Sequence, residues 1–209
     1  MQKNSIKYIA TIIVVLIVAY NSVYFKKLDE INARAPKAFD AVKYAHDYVK
    51  NKLTPTLDKS PDVTELLNML SANPGKAFKT YAHAIGIGNV KFFMVKGEGV
   101  ITNIDENDVF VKPSTLGSPV VKIATEYVFG NALRDASGLI SINEFTSTTD
   151  LNNVSAEINK MVRNDVLPPF KGSAKIADKV QFAGAIELNQ EHLNISDPEI
   201  IPITIKVIK

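Results

Sequence analysis

Val90-Lys91-Phe92-Phe93-Met94-Val95-Lys96-Gly97-Glu98-Gly99-Val100-Ile101-Thr102-Asn103-Ile104 reads as one long β-strand. β-Branched and aromatic side chains dominate it, and these favour a pleated, half-buried backbone. Gly97 and Gly99 lie within it, and glycines inside a strand signal a bulge or a sharp bend. Asp105-Glu106-Asn107-Asp108 follows as a turn, and Val109-Phe110-Val111 returns as the paired strand. Pro113 to Pro119 reads as a loop, Val120 to Phe129 as a strand, and Leu139 to Phe145 as a short mixed segment. Val154, Ile158, Met161 and Val162 form a helical stripe that Pro168-Pro169 should end. Two strands close the chain, Lys179 to Leu188 and Ile200 to Ile208, the second alternating through Ile201, Ile203, Ile205 and Val207.

Upstream of Val90 the pattern is helical. Phe39, Val42, Ala45, Val49 and Leu53 recur at helical spacing until Thr54-Pro55. A second helix should start with Ser60 as cap and Pro61 in the first turn, burying Val63, Leu66, Leu67 and Leu70. A third should use Asn73 as cap and Pro74 as opener, before Gly86 and Gly88 mark a loop. Helices, strands, a helix and then strands define an α+β domain. A small antiparallel Greek-key barrel of the OB type, with added N-terminal helices and one inserted helix, fits this order.

The first residues differ from the rest. Lys3 and Lys7 precede an apolar run from Tyr8 to Tyr20, which Val23-Tyr24-Phe25 extends past Asn21-Ser22 and which Lys26-Lys27 ends. The whole stretch is just long enough to span a bilayer, while the strict run suits a signal-peptide core. Ala19 and Asn21 match a cleavage site poorly, and Tyr20 and Tyr24 resemble an interfacial belt. The reading is an uncleaved signal anchor over 1–27, a linker over 28–36 and an extracytoplasmic domain over 37–209. A cleaved leader and a buried core helix are the alternatives. Positive charge before the span places the N-terminus inside and the domain outside.

Of the 209 residues, 46% are hydrophobic, enough for a core, and the formal net charge is only +2. Lys and Asp/Glu are interspersed, which argues against a nucleic-acid partner. There is no cysteine, so disulfides, thiolate metal sites, a catalytic thiol and a lipid-modified cysteine are all absent.

No catalytic signature emerges. His46, His83 and His192 do not stand at metal-ligand spacing, and His83, beside the glycine loop, is the one that merits attention. Gly86-Ile87-Gly88 lacks the third glycine of a dinucleotide fingerprint and leads into a strand. Asp105, Glu106 and Asp108 suit a solvated turn better than a calcium loop. No cofactor or metal is implied. The densest polar cluster in an apolar context is Gly130-Asn131-Ala132-Leu133-Arg134-Asp135-Ala136. Adjacent Arg134 and Asp135 need partners if they are to pack inside. They make either a structural helix turn, with Arg134 bridging carbonyls, or a polar recognition point at the barrel mouth with Asn131 and Asn143.

Four segments together resemble a bacterial domain-of-unknown-function family, number twenty-two ninety-one, of predicted periplasmic lipoproteins. They are Ala38-Phe39-Asp40 through Leu57, Val95-Lys96-Gly97-Glu98-Gly99-Val100, Gly130 through Ala136, and Ile140-Ser141-Ile142-Asn143-Glu144-Phe145-Thr146. The resemblance spans roughly Ala38 to Val207. It implies an OB-like barrel with added helices and a companion role beside sugar ABC transporters or their binding proteins. It carries no catalytic residues. Two departures stand out: Asn21-Ser22 where the family commonly has a lipobox cysteine, and Ser147-Thr148 where it tends to have an Asn-Gln pair.

Three functions compete on this reading. The first is a membrane-anchored, non-enzymatic accessory of a sugar uptake system. The second is a carbohydrate- or oligosaccharide-binding module using an OB-type face with some of Phe92, Phe93, Phe110, Tyr127 and Phe129 exposed. The third is an envelope hydrolase with an unrecognised site, which would need a cleft holding two close carboxylates or His83 facing an acid.

Overall fold

The computed structural model describes residues 2–22, 39–115 and 117–208. The chain divides into two compact units, Met1–Phe39 and Asp40–Lys209.

In the first unit, helix α1 covers Gln2–Ser22. Its central apolar side chains are exposed, Tyr8, Ile9, Leu16 and Tyr20 among them. Among the described residues no helix is long and apolar enough to cross a membrane. Lys3, Asn4, Ser5 and Lys7 trim the apolar run at one end, and Asn21 and Ser22 trim it at the other. Val23-Tyr24-Phe25, the extension that the spanning estimate counts, and the linker at 28–36 lie outside the described residues.

The second unit opens with α2 (Ala41–Asp47), where the Asp40 carboxylate caps by accepting from the Lys43 N–H at 2.9 Å. The helix does not stop at Thr54-Pro55. It widens into a π-turn, Tyr48–Leu53, and tightens into a 3₁₀ turn, Thr54–Lys59, with Pro55 in that first turn. Proline lacks only an N–H that the first turn leaves unbonded anyway. The Thr54 hydroxyl donates to the Val49 carbonyl at 2.8 Å. The later helix repeats this device. Helix α6 (Thr148–Met161), capped by Ser147, runs into a π-turn, Val162–Val166, and then α7 (Leu167–Lys171) carries Pro168 and Pro169 in its opening turn. Both proline sites expected as stops, Thr54-Pro55 and Pro168-Pro169, therefore mark changes of helical pitch.

Helix α3 (Val63–Ala72) starts later than the Ser60-Pro61 signal suggests. Asp62 is the cap, accepting from the Thr64 N–H at 2.8 Å. The Pro61 carbonyl is instead taken by the Lys96 N–H at 3.1 Å, so this stretch is extended along the barrel. Helix α4 (Pro74–Tyr81) begins as its sequence predicts, with the Asn73 side chain accepting from the Lys76 N–H at 3.0 Å.

The strands are β1 (Ala82–His83), β2 (Val90–Ile104), β3 (Asp108–Pro113), β4 (Val121–Ala124), β5 (Lys179–Asn189) and β6 (Glu199–Ile208). Their order is β1-β2-β3-β4-β6-β5, and β2 also pairs with β5, which closes a barrel of β2 to β6. All pairings are antiparallel except β4 with β6. The inserted helix α6 falls between β4 and β5, the connection of an OB-fold. The expected strand Val120 to Phe129 is shorter, because the chain bends at Thr125, whose N–H and hydroxyl both bond the Asn107 carbonyl.

Glycine makes the closure possible. A Cβ on Gly99 would lie 2.4 Å from the Lys112 carbonyl oxygen, and one on Gly184 would lie 2.3 Å from that of Ile201. At Gly184 the register of β5 against β6 shifts, so that Ala183 faces Thr204 while Gly184 faces Pro202. Ile203 is the extra residue of this bulge. It changes the phase of β6, whose buried isoleucines are Ile200, Ile203 and Ile205 and not the strict alternation from Ile201. Phe93 and Phe182 are fully buried inside the barrel wall, and Leu66, Leu70, Ile158 and Val162 bring the helices onto the core.

Candidate functional site

The expected recognition cluster divides in two. Gly130, at φ 80°, turns the chain into α5 (Ala132–Asp135). Arg134 and Asp135 are each 4% exposed. The Arg134 Nε donates to Asp135 Oδ1 at 2.5 Å and its Nη2 to Oδ2 at 3.1 Å. Its Nη1 donates to the Leu151 carbonyl at 3.3 Å and to the Asn152 side chain at 3.5 Å. One edge of the guanidinium is thus held by Asp135 of α5 and its other end by α6, and both side chains are buried. Asn131 is exposed, and its side chain accepts from the buried Ser155 hydroxyl at 3.1 Å. Asn159 donates to the Gly130 carbonyl at 2.8 Å. The segment docks α6 onto the barrel.

Asn143 stands apart, exposed in a 3₁₀ turn (Ile142–Glu144) that Ser141 caps. This turn is tied to α2. The Tyr44 hydroxyl donates to Glu144 Oε2 at 2.8 Å, Lys52 lies 3.7 Å from the same oxygen, and the Tyr44 and Phe145 rings meet edge to face at 5.2 Å. The Ser141 N–H and then the Tyr44 hydroxyl and Lys52 hold the Glu144 carboxyl below its ordinary range, against the opposing effect of burial. Burial and that same carboxylate push the Tyr44 hydroxyl up.

Among the five aromatic rings, Phe92 and Phe93 are buried and Phe110 is half-buried. Tyr127 and Phe129 are 63% and 60% exposed. The Arg163 guanidinium lies 4.8 Å over the Phe129 ring, and its Nη1 donates to the Val128 carbonyl.

His83 is exposed in β1, opposite Phe92, beside a small cavity of about 190 Å³. A Cβ on Gly138 would lie 2.4 Å from its Nδ1. Although the residue is exposed as a whole, its ring packs against Gly138, and that desolvation pulls its pKa below the ordinary 6.5. The unfolded chain therefore binds the proton more readily, and stability rises with pH in this window. The contribution is full above 6.5 and is lost as pH falls from there through the folded value. We expect the thermal midpoint to drop on acidification below about 6.5, and His83→Gln to remove that part of the slope. An unchanged slope in the variant would assign the effect elsewhere. Among the described residues no group of three or more His, Asp or Glu could hold a metal ion.

A groove of about 560 Å³ lies on the outside of the barrel, within the size range of small-molecule sites, roughly 300–1,000 Å³. Its floor is the outer face of β2, β5 and β6, where Lys96 and Glu98, Gln181, and Thr204 and Lys206 point outward. One wall is the Thr54–Lys59 turn with Leu57 and Asp58, and the other is the β3–β4 loop at Ser114 and Thr115. Gln181 Nε2 donates to Glu98 Oε1 at 2.7 Å, and Lys96 Nζ donates to the Asp58 carbonyl. Beneath the floor the Phe182 ring packs under Gly97, where a Cβ would lie 2.6 Å from its Cζ. The Val95–Val100 motif thus supplies both the barrel bend and two polar groups of the groove. The residues that sequence reasoning missed are Gln181, Thr204 and Lys206. Their only signal is polar side chains at alternate positions of otherwise apolar strands.

Comparison with known proteins agrees with this architecture. The crystal structure of an OB-fold protein from Thermotoga maritima superposes with a TM-score of 0.72 at 26% identity, covering 82% of this chain and 99% of that one. No curated protein matches. A family of predicted periplasmic lipoproteins, DUF2291, matches residues 13–206. With nearly its whole length matched, and with an OB barrel as its body, the chain belongs to this family of extracytoplasmic, membrane-associated proteins.

Proposed function

We propose that the protein is a non-enzymatic accessory of a sugar ABC uptake system, tethered to the membrane, and that the barrel groove is where it holds a ligand. The observation that carries this reading is the groove. It presents hydrogen-bonding groups along three strands, with Glu98 and Lys96 oriented by neighbours. That is the arrangement of a binding site. The transporter association rests on the family resemblance. Deleting the gene should slow uptake of at least one sugar, and the purified protein should recover transporter subunits from solubilised membranes. Unchanged uptake of every tested sugar, with no subunit recovered, would sink the idea.

The tether we assign to the apolar N-terminal stretch Tyr8 to Phe25, which its sequence length fits to a single span. The exposed apolar side chains of α1 support this. The protein should stay in the membrane pellet after an alkaline wash and retain its N-terminal residues. A mature chain beginning after Ser22 would make α1 a discarded leader.

A second reading, a carbohydrate-binding module on the OB-type face, is favoured by the exposed rings of Tyr127 and Phe129. Sugar affinity lost in a Tyr127→Ala/Phe129→Ala variant, with groove variants unaffected, would select it.

A further inference from the structure

We propose that the groove takes a neutral, hydroxyl-rich ligand read by the row Glu98–Gln181–Lys206; this rests on the groove being the ligand site. The register sets Glu98 opposite Gln181 and Gln181 opposite Lys206. The three outward side chains therefore lie in one line across β2, β5 and β6, at neighbour spacings of about 4.5–5.5 Å. The bond from Gln181 to Glu98 fixes the first two relative to each other. It leaves the second Glu98 oxygen and the Gln181 carbonyl as acceptors. Lys206, exposed, makes no hydrogen bond or ion pair among the described residues and supplies donors. Thr204, one residue pair along β6, adds a hydroxyl to the same floor.

The charge pattern chooses the ligand class. Lys96 and Lys206 share the groove lining with Asp58, Asp62 and Glu98. An anion entering it would meet carboxylates, a cation would meet ammonium groups, and either would shed water for incomplete compensation. A hydroxyl both donates and accepts. Adjacent hydroxyls on a neutral ligand can satisfy an acceptor and a donor side by side, which is what the row presents.

Calorimetric titration of the full chain in detergent tests this, using ribose, glucose and maltose, with glucose 6-phosphate and glucosamine as charged counterparts. At least one neutral sugar should bind, and the charged compounds should bind at least about tenfold more weakly. Lys206→Met and Gln181→Leu should each weaken the neutral sugar by roughly tenfold. Thr204→Val serves as the second variant should Lys206→Met fail to fold. Unchanged affinity in the groove variants overturns the row while the accessory role stands. Preference for a charged compound overturns the ligand class. Should the wild-type chain bind none of the panel, the proposal falls, and uptake and subunit recovery still decide the accessory role separately.

Discussion

Replacing Arg134 with alanine is expected to lower the unfolding free energy by about 3–5 kcal/mol, read from the urea midpoint. The substitution leaves Asp135 charged, 4% exposed and without its two-point partner. It also removes the bond from Arg134 Nη1 to the Leu151 carbonyl of α6. Lysine should not rescue, because a point charge cannot reproduce the planar fork that spans both carboxylate oxygens. Replacing the two together, Arg134→Met with Asp135→Leu, should recover most of the loss, since well-packed apolar side chains commonly match a buried ion pair. A single variant within about 1 kcal/mol of wild type would show that the pair does not dock α6.

Gly184→Ala should be the other severe substitution, costing about 1–3 kcal/mol or more through overpacking. The new Cβ would lie 2.3 Å from the Ile201 carbonyl oxygen and 2.9 Å from the Pro202 Cα. Both are backbone atoms of the facing strand, so nothing can rotate aside and the bulge itself must open. Gly97→Ala meets the end of the Phe182 ring instead, and a ring can tilt, so its cost should be smaller. Gly86→Ala is the control: nothing lies within 4 Å of its Cβ position, and its effect should stay within about 0.5 kcal/mol. Equal midpoints for Gly184→Ala and Gly86→Ala would refute this account of the barrel closure.

The β-rich half was legible because strands advertise themselves by alternation and glycine. The stretch from Val90 to Ile104 is one strand, and its two inner glycines lie where a Cβ would press on the Phe182 ring or on the Lys112 backbone. What escaped were features set by long-range partners. Ile203 is an extra residue only because Gly184 on another strand lets the register slip, and no local pattern encodes that. Thr54-Pro55 and Pro168-Pro169 looked like stops because the rule for residues before proline is local. The π-turns that precede them release the bonds a proline would otherwise break. For the candidate site, the residue types of Arg134-Asp135 signalled that each needed a partner, but adjacency alone did not show that each supplies most of the other's bonding. The groove was the least legible part. Glu98, Gln181 and Lys206 are ordinary surface residues until three strands distant in sequence bring them into line.

The pairing of β2 with β5 joins Val90 to Asn189 and Val100 to Lys179, and this has a kinetic meaning. Each contact closes a loop of roughly 80–100 residues, an entropic cost that must be met before the contact returns any stability. The helices and the β2–β3 hairpin can form from local sequence, while the barrel waits for the last strands. Folding should therefore be slow for a domain of this size, with β2 exposing an unpaired edge in the interim. For a chain that completes its fold beyond the cytoplasm, that interval is the window in which it is most open to proteases and to mispairing with other unfolded chains.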